Sequence, residues 1–92
     1  MLAANLNNAS LTKANLTRAR LNSADLTGAN LTNVSLKNAY LSHSNFSKAQ
    51  LVDANLTDAD ICGFKQSNCA NFTDANLKDT IGIKSGTNLP NR

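Results

Sequence analysis

Tryptophan and glutamate are absent from these 92 residues, Pro and Met occur once each, and the aromatics are three Phe and one Tyr. A conventional globular core of this size carries more aromatic volume, so another kind of interior is being built. With no Glu, one His (His43) and four isolated Gly, there is little material for a nucleophilic triad and no phosphate-cradling loop; no catalytic residue and no cofactor is expected. The first twenty residues contain no apolar run of the roughly 7–15 residues a leader needs. Nothing approaches the ~18 apolar residues of a membrane span, so the expectation is a cytoplasmic protein with no membrane partner. Cys62 and Cys69 are too few for a disulfide framework and are expected to stay reduced. The net charge of +3 is weak, with nine basic residues scattered among six Asp, which argues against nucleic acid as a partner.

What the chain does have is Ala, Leu and Asn, together 41 of 92 positions, in a fixed rhythm. One apolar residue recurs every fifth position: Leu6, Leu11, Leu16, Leu21, Leu26, Leu31, Leu36, Leu41, Phe46, Leu51, Leu56 and Ile61. Two places before each stands a small residue, from Ala4 and Ala9 through Val34 and Ser44 to Ala59. Period five cannot be a helical stripe, because successive Leu would step about 140° around the helix. A continuous strand fails as well, since five is odd and alternate Leu would face opposite ways. Within one pentad, however, an extended segment points Ala and Leu the same way, and the remaining residues must then turn the chain. Segment plus corner, repeated, makes a closed coil with Leu and Ala inside, and Asn, Ser, Thr, Asp and Gly suit the corners. Across the regular region every Lys, Arg and Asp avoids both inward positions, as burial of an unpaired charge requires.

The pentads read AANLN, ANLTR, ADLTG, ANLTN, ANLTD, ADICG, ANFTD and ANLKD. This Ala-Asp/Asn-Leu-x-x pattern resembles the pentapeptide-repeat family over roughly residues 1–80. The resemblance implies an all-β fold, a right-handed quadrilateral parallel β-helix of about 4 coils with 20 residues each, at the usual inter-strand spacing of ~4.8 Å. A 20-residue coil would set the small Ser44 beneath Phe64, a sensible interdigitation.

The pattern breaks at residues 62–69, CGFKQSNC, after which Phe72 and Leu77 resume the inward position one residue late. One extra residue in a bulge or enlarged corner is the expected reading, with Phe64 inside and Gln66 in doubt. After Thr80 the rhythm stops, and residues 81–92 form an expected C-terminal cap and partly disordered tail, in which Ile81, Ile83 or Leu89 could cover the last coil. Met1 already falls at an inward position, which leaves the N-terminal end bare and suggests self-association or stacking there.

Candidate sites are few. His43 and Cys62 would be neighbours in a 20-residue coil, but two ligands are short of the about four that zinc wants, and no metal site is expected. Residues 1–50 hold five basic groups and Asp25, a net of +4, whereas residues 51–80 hold five Asp against Lys65 and Lys78, a net of −3. With one extra residue in the bulge, Asp53 stacks with Asp74 and Asp58 with Asp79, a patch that could meet a basic partner or stay a solvated face. Arg20, Tyr40 and Asp60 share a column on another wall, where Tyr40 is the best single anchor for a partner. Triplets such as Asn15-Leu16-Thr17 and Asn55-Leu56-Thr57 are read as by-products of the repeat. A non-enzymatic structural or protein–protein interaction module follows from a rigid rod without a pocket, its protein partner unnamed. Some relatives of the resembled family imitate duplex DNA and bind DNA gyrase or topoisomerase IV; a short, net basic chain fits that alternative poorly.

Overall fold

The computed structural model describes residues 4–62 and 69–82. Each pentad contributes a short extended piece and a corner. In the extended piece the residue before the inward Leu forms an isolated parallel bridge with its counterpart 20 positions on: Asn5 with Asp25, Ser10 with Asn30, Asn15 with Ser35, Arg20 with Tyr40, and onward to Asp60. These bridges fall into four columns, one per face. Two hydrogen bonds hold each rung, as where Leu6 N–H donates to Asp25 C=O at 2.7 Å and Asp25 N–H donates to Ala4 C=O at 2.8 Å.

Every regular corner closes in the same way. The small inward residue donates its N–H back to the preceding inward carbonyl, as Ala9 does to Leu6 and Ala14 to Leu11, both at 3.0 Å. The third residue of the turn has positive φ, between 56° and 64° at Asn8, Lys13, Arg18, Ser23, Asn33, Asn38, His43, Lys48, Asp53, Asp58, Asp74 and Asp79. Negative φ followed by positive φ is a type II turn, which prefers Gly at that place. Only Gly28 supplies it in the regular corners. The left-handed conformation costs a non-Gly residue roughly 1–2 kcal/mol, offset here because corner N–H groups join the ladder, as Asn8 to Thr27 and Lys13 to Thr32 at 2.9 Å.

The inward residues form one contiguous core. Leu21, Leu26, Leu31, Leu36, Leu41, Phe46, Leu51 and Leu56 are fully enclosed, and Ile61, Phe72 and Leu77 are buried. Leu6, Leu11 and Leu16 are only half-buried, because nothing among the described residues lies beneath the first coil. Ser44 sits in an inward slot at 1% exposure, and its hydroxyl donates to Leu41 C=O at 2.5 Å, so a polar side chain is buried without an orphan.

At the interruption the offset rises from 20 to 26: Asn45 bridges Asn71, Gln50 bridges Asn76 and Asn55 bridges Ile81. The insertion is therefore a pentad plus one residue rather than the single residue expected. Its geometry is simple. Ala70 donates its N–H to Ile61 C=O at 2.9 Å, the bond that closes every other corner, so Ile61 and Ala70 flank the interruption as two inward neighbours flank a regular corner. Ser44 lies below Ala70 and Asn71, and its C=O accepts the Asn71 N–H at 2.8 Å. The longer offset also sets the Phe72 ring on Phe46, with centroids 5.1 Å apart and planes 9° from parallel.

The cysteines are not free. A disulfide joins Cys62 to Cys69, the first and last residues of the enlarged corner, with the Cys62 side buried and Cys69 exposed. The expectation of reduced thiols is corrected: seven positions of separation look unremarkable in sequence, but the closing Ile61–Ala70 bond brings the two residues together. A loop of this length predicts about 2–2.5 kcal/mol of stabilisation. Urea unfolding with and without a thiol reductant should show the midpoint falling accordingly, and Cys62→Ser with Cys69→Ser should reproduce the reduced curve. An unchanged midpoint would show that backbone hydrogen bonding alone holds the neck.

Ile81 does not cover the coil end: it is 57% exposed and its backbone pairs with Asn55. Gly82 follows at φ 86°, where a Cβ would come within 2.3 Å of the Thr57 backbone nitrogen. The positions of Met1, Phe64, Gln66, Ile83 and Leu89 lie outside the described residues. Among the described residues no helix is long and apolar enough to cross a membrane.

Candidate interaction surface

With the shaft filled, distinctive chemistry is confined to the outer columns. On the fourth face Tyr40 bridges both Arg20 and Asp60. Their spacing is fixed by backbone bonds: Tyr40 N–H donates to Ala19 C=O at 2.9 Å, and Asp60 N–H donates to Ala39 C=O at 2.8 Å. The Arg20 guanidinium carbon stands 6.0 Å from the Tyr40 ring centroid, within cation–π range, while Tyr40 remains 44% exposed. A cation, a ring and a carboxylate are thus presented one rung apart on a rigid wall.

The acidic residues are arranged differently from the expected pairs. The 26-residue offset carries Asp53 to Asp79, as the Asp53 N–H to Lys78 C=O bond at 3.0 Å fixes. Asp74 falls in the column of Lys48, whose N–H donates to Thr73 C=O at 2.9 Å. Asp58 follows Asn38 on a third corner, linked through the Asn38 N–H to Thr57 C=O bond at 2.9 Å. The Asp residues therefore spread over several columns, one of them beside a lysine, and form no continuous acidic stripe. His43 is exposed at its corner, and both sulfurs that might have joined it are bonded to each other.

A second set of polar side chains works locally. Where Asn stands before an inward position its side-chain oxygen accepts the N–H two places on: Thr17 donates to Asn15 at 3.1 Å, Thr57 to Asn55 at 3.0 Å, and Thr73 to Asn71 at 2.9 Å. Several Thr or Ser hydroxyls add a second bond to the same oxygen, as Ser47 does to Asn45 at 2.6 Å. These are Asx turns that fix the entry to each corner.

Asp25 is the ionised version. It accepts the Thr27 hydroxyl at 2.7 Å, the Thr27 N–H at 3.0 Å and the Asn7 amide at 2.5 Å from the coil below. The Thr27 side chain and then its backbone N–H hold the carboxyl below its ordinary value of 3.8, against a partial opposing effect of desolvation. The folded chain binds this proton more weakly than the unfolded chain. Its stabilisation is therefore complete above the unfolded value and fades as pH falls through the lower folded one. Asp25→Asn should remove this part of the acid sensitivity, read as a flatter dependence of the urea midpoint on pH below about 4. Parallel pH profiles for the two proteins would count against the assignment.

Coils of period five, stacked by parallel bridges around an aliphatic shaft, define a β-helical repeat solenoid. The family model for pentapeptide repeats matches residues 3–38 and 29–64, in eight copies, and the chain belongs to that family. Among solved structures, it is similar to a pentapeptide repeat protein of the Arabidopsis thaliana thylakoid lumen, at 24% identity and TM-score 0.52, covering 97% of this chain and 66% of that one. It is also similar to HetL, a pentapeptide repeat protein involved in heterocyst differentiation regulation in the cyanobacterium Nostoc, at 31% identity and TM-score 0.48, covering 90% of this chain and 42% of HetL. The chain thus spans about two thirds of the first protein and under half of the second. No curated protein matches the sequence. The fold is a right-handed β-helix solenoid, and the family is in general one of structural and interaction modules.

Proposed function

We propose that this chain is a non-enzymatic protein–protein interaction module, a quadrilateral stack of about four 20-residue coils whose outer walls hold side chains at fixed spacing. The observation that carries the reading is the Arg20–Tyr40–Asp60 column, a half-exposed ring between opposite charges whose backbones are bridged rung to rung. A protein partner uses the Tyr40 ring as its anchor, with Arg20 and Asp60 setting orientation. Affinity capture from the native source, comparing wild type with Tyr40→Ala, tests it: loss of the ring at a hot spot weakens a captured partner by about 30-fold or more. Capture that survives both Tyr40→Ala and Arg20→Ala unchanged would sink this assignment.

The disulfide bears on where the module works. A Cys62–Cys69 disulfide persists in an oxidising compartment and is reduced in ordinary cytosol, so we infer an oxidising compartment in place of the cytoplasm expected from the lack of an apolar leader or span. Alkylation of thiols at the moment of lysis, followed by mass analysis, should find neither cysteine modified.

A further inference from the structure

We propose that the fourth face pairs with the same face of a second copy, about a two-fold axis running along the extended segments at the level of Tyr40. This rests on the reading of the chain as an interaction module anchored at Tyr40, and names a partner for that surface. The polarity of the face carries the inference. Its three rungs lie within residues 18–60, all of them described, and at each rung the corner residue and the mid-face residue are exposed. They read Arg18 and Arg20, then Asn38 and Tyr40, then Asp58 and Asp60. Positive charge stands at one end, negative charge at the other, and the ring between them. Bridges fix the register of the mid-face column, Arg20 to Tyr40 and Tyr40 to Asp60. Corner bonds fix the other column: Arg18 N–H donates to Lys37 C=O at 2.8 Å, and Asn38 N–H to Thr57 C=O at 2.9 Å. Among the described residues the far corner of the face adds one titratable group, His43, at the middle rung.

Symmetry selects the direction of the second copy. Turned about an axis parallel to the stack of coils, it would set Arg20 against Arg20 and Asp60 against Asp60. Turned about an axis along the strands, it reverses the order of the rungs. Arg18 then meets the partner's Asp58, Arg20 meets the partner's Asp60, and the Tyr40 rings meet each other. Such a contact is isologous and stops at two copies. The other faces lack this pattern: the mid-face columns that begin at Ser10 and Asn15 hold no charge, and that of Asn5 holds only Asp25. The corner residues Lys13, Asn33 and Asp53 repeat the polarity beside the third face, but Lys37 closes that face at its middle rung, where the same axis would set it against a second Lys37. A face three rungs high, at ~4.8 Å per rung, is small beside the roughly 1,200 Å² of a stable interface. The pair is therefore weak and sensitive to salt.

Tyr40 is the only tyrosine of the chain, so a dityrosine in a covalent dimer joins Tyr40 to Tyr40. Photo-oxidative tyrosine coupling over a concentration series, with sedimentation velocity at low salt beside it, reads the pairing. Wild type should approach twice the monomer mass and no more, and should give a fluorescent dityrosine dimer whose yield falls as salt is added. Arg18→Asp with Arg20→Asp makes both ends of the face acidic and should weaken association at least about tenfold. Adding Asp58→Arg and Asp60→Arg to that variant restores the net charge and reverses the polarity, and should recover both readings. Each exchange puts Arg or Asp into a column that already holds both, so the fold is kept, as circular dichroism would verify. A wild type that stays monomeric to about millimolar concentration overturns the pairing. So does a dimer without dityrosine, or a fourfold variant that fails to recover. None of these touches the capture of a different protein through Tyr40, which is read separately with Tyr40→Ala.

Discussion

Leu36→Asp should abolish the folded state. Leu36 is fully enclosed at the third face, and its N–H donates to Asn55 C=O at 2.8 Å. Its side chain lies in the column of Leu16 and Leu56, with no unpaired polar side-chain atom among the described residues to receive a carboxylate. Burying that charge, or protonating it to enter the shaft, costs several kcal/mol against a total stability of roughly 5–14 kcal/mol for a chain of this length. Position aggravates the loss. Each coil of a solenoid is supported only by its neighbours, so a failure in the second coil leaves one fragment of about a coil and another of about two. Neither has enough interior to stand alone. Lys37→Asp, one residue away but outward, should stay within about 0.5 kcal/mol of wild type. Circular dichroism and urea titration of the pair discriminate: a folded Leu36→Asp protein with a near wild-type midpoint would mean that the leucines do not line a closed shaft.

The inside and outside of the stack were legible because apolar and charged residues never exchange places in the five-step rhythm. Leu21 to Leu56 could be assigned inward from spacing alone. The register across residues 62–69 was not legible, for a definite reason. A repeat of five fixes position only modulo five, so one extra residue and six extra residues leave the same phase in the sequence. Only the partners decide between them. Asn45 meets Asn71, the offset is 26 rather than 21, and the pairing of Asp53 passes from Asp74 to Asp79. The disulfide went with it, since Cys62 and Cys69 become neighbours only through the Ala70 to Ile61 bond that the longer offset sets up.

The corners hold the other lesson. Asn-x-Thr and Asn-x-Ser triplets read as residue of the motif are in fact its joints, each Asn oxygen accepting the N–H two positions on and often a hydroxyl besides. Density of these triplets was the available signal. The backbone conformation two residues beyond the inward site had no comparable signal, because Lys13, Arg18 and His43 are poor advertisements for positive φ. The ladder imposes that conformation by bonding the corner N–H, and local preference gives way to it. The same freedom lets these corners carry Lys, Arg, His or Asp on one frame.

Phe46→Ala is the second large effect and also measures the register directly. Phe46 is fully buried and stacks on Phe72 at 5.1 Å. Truncating it opens a ring-sized void in a shaft whose walls are held by hydrogen bonds on every side and can collapse little, so a loss of about 3–5 kcal/mol is expected. Pairing it with Phe72→Leu in a double-mutant cycle isolates the ring contact, for which a coupling of about 0.5–1.5 kcal/mol is expected. With a single inserted residue, Phe72 would instead stand over Leu51, and Phe46 and Phe72 would be uncoupled. A cycle that closes to zero for Phe46 but not for Leu51 would restore an offset of 21, and with it change the pairing of every residue from 69 to 82.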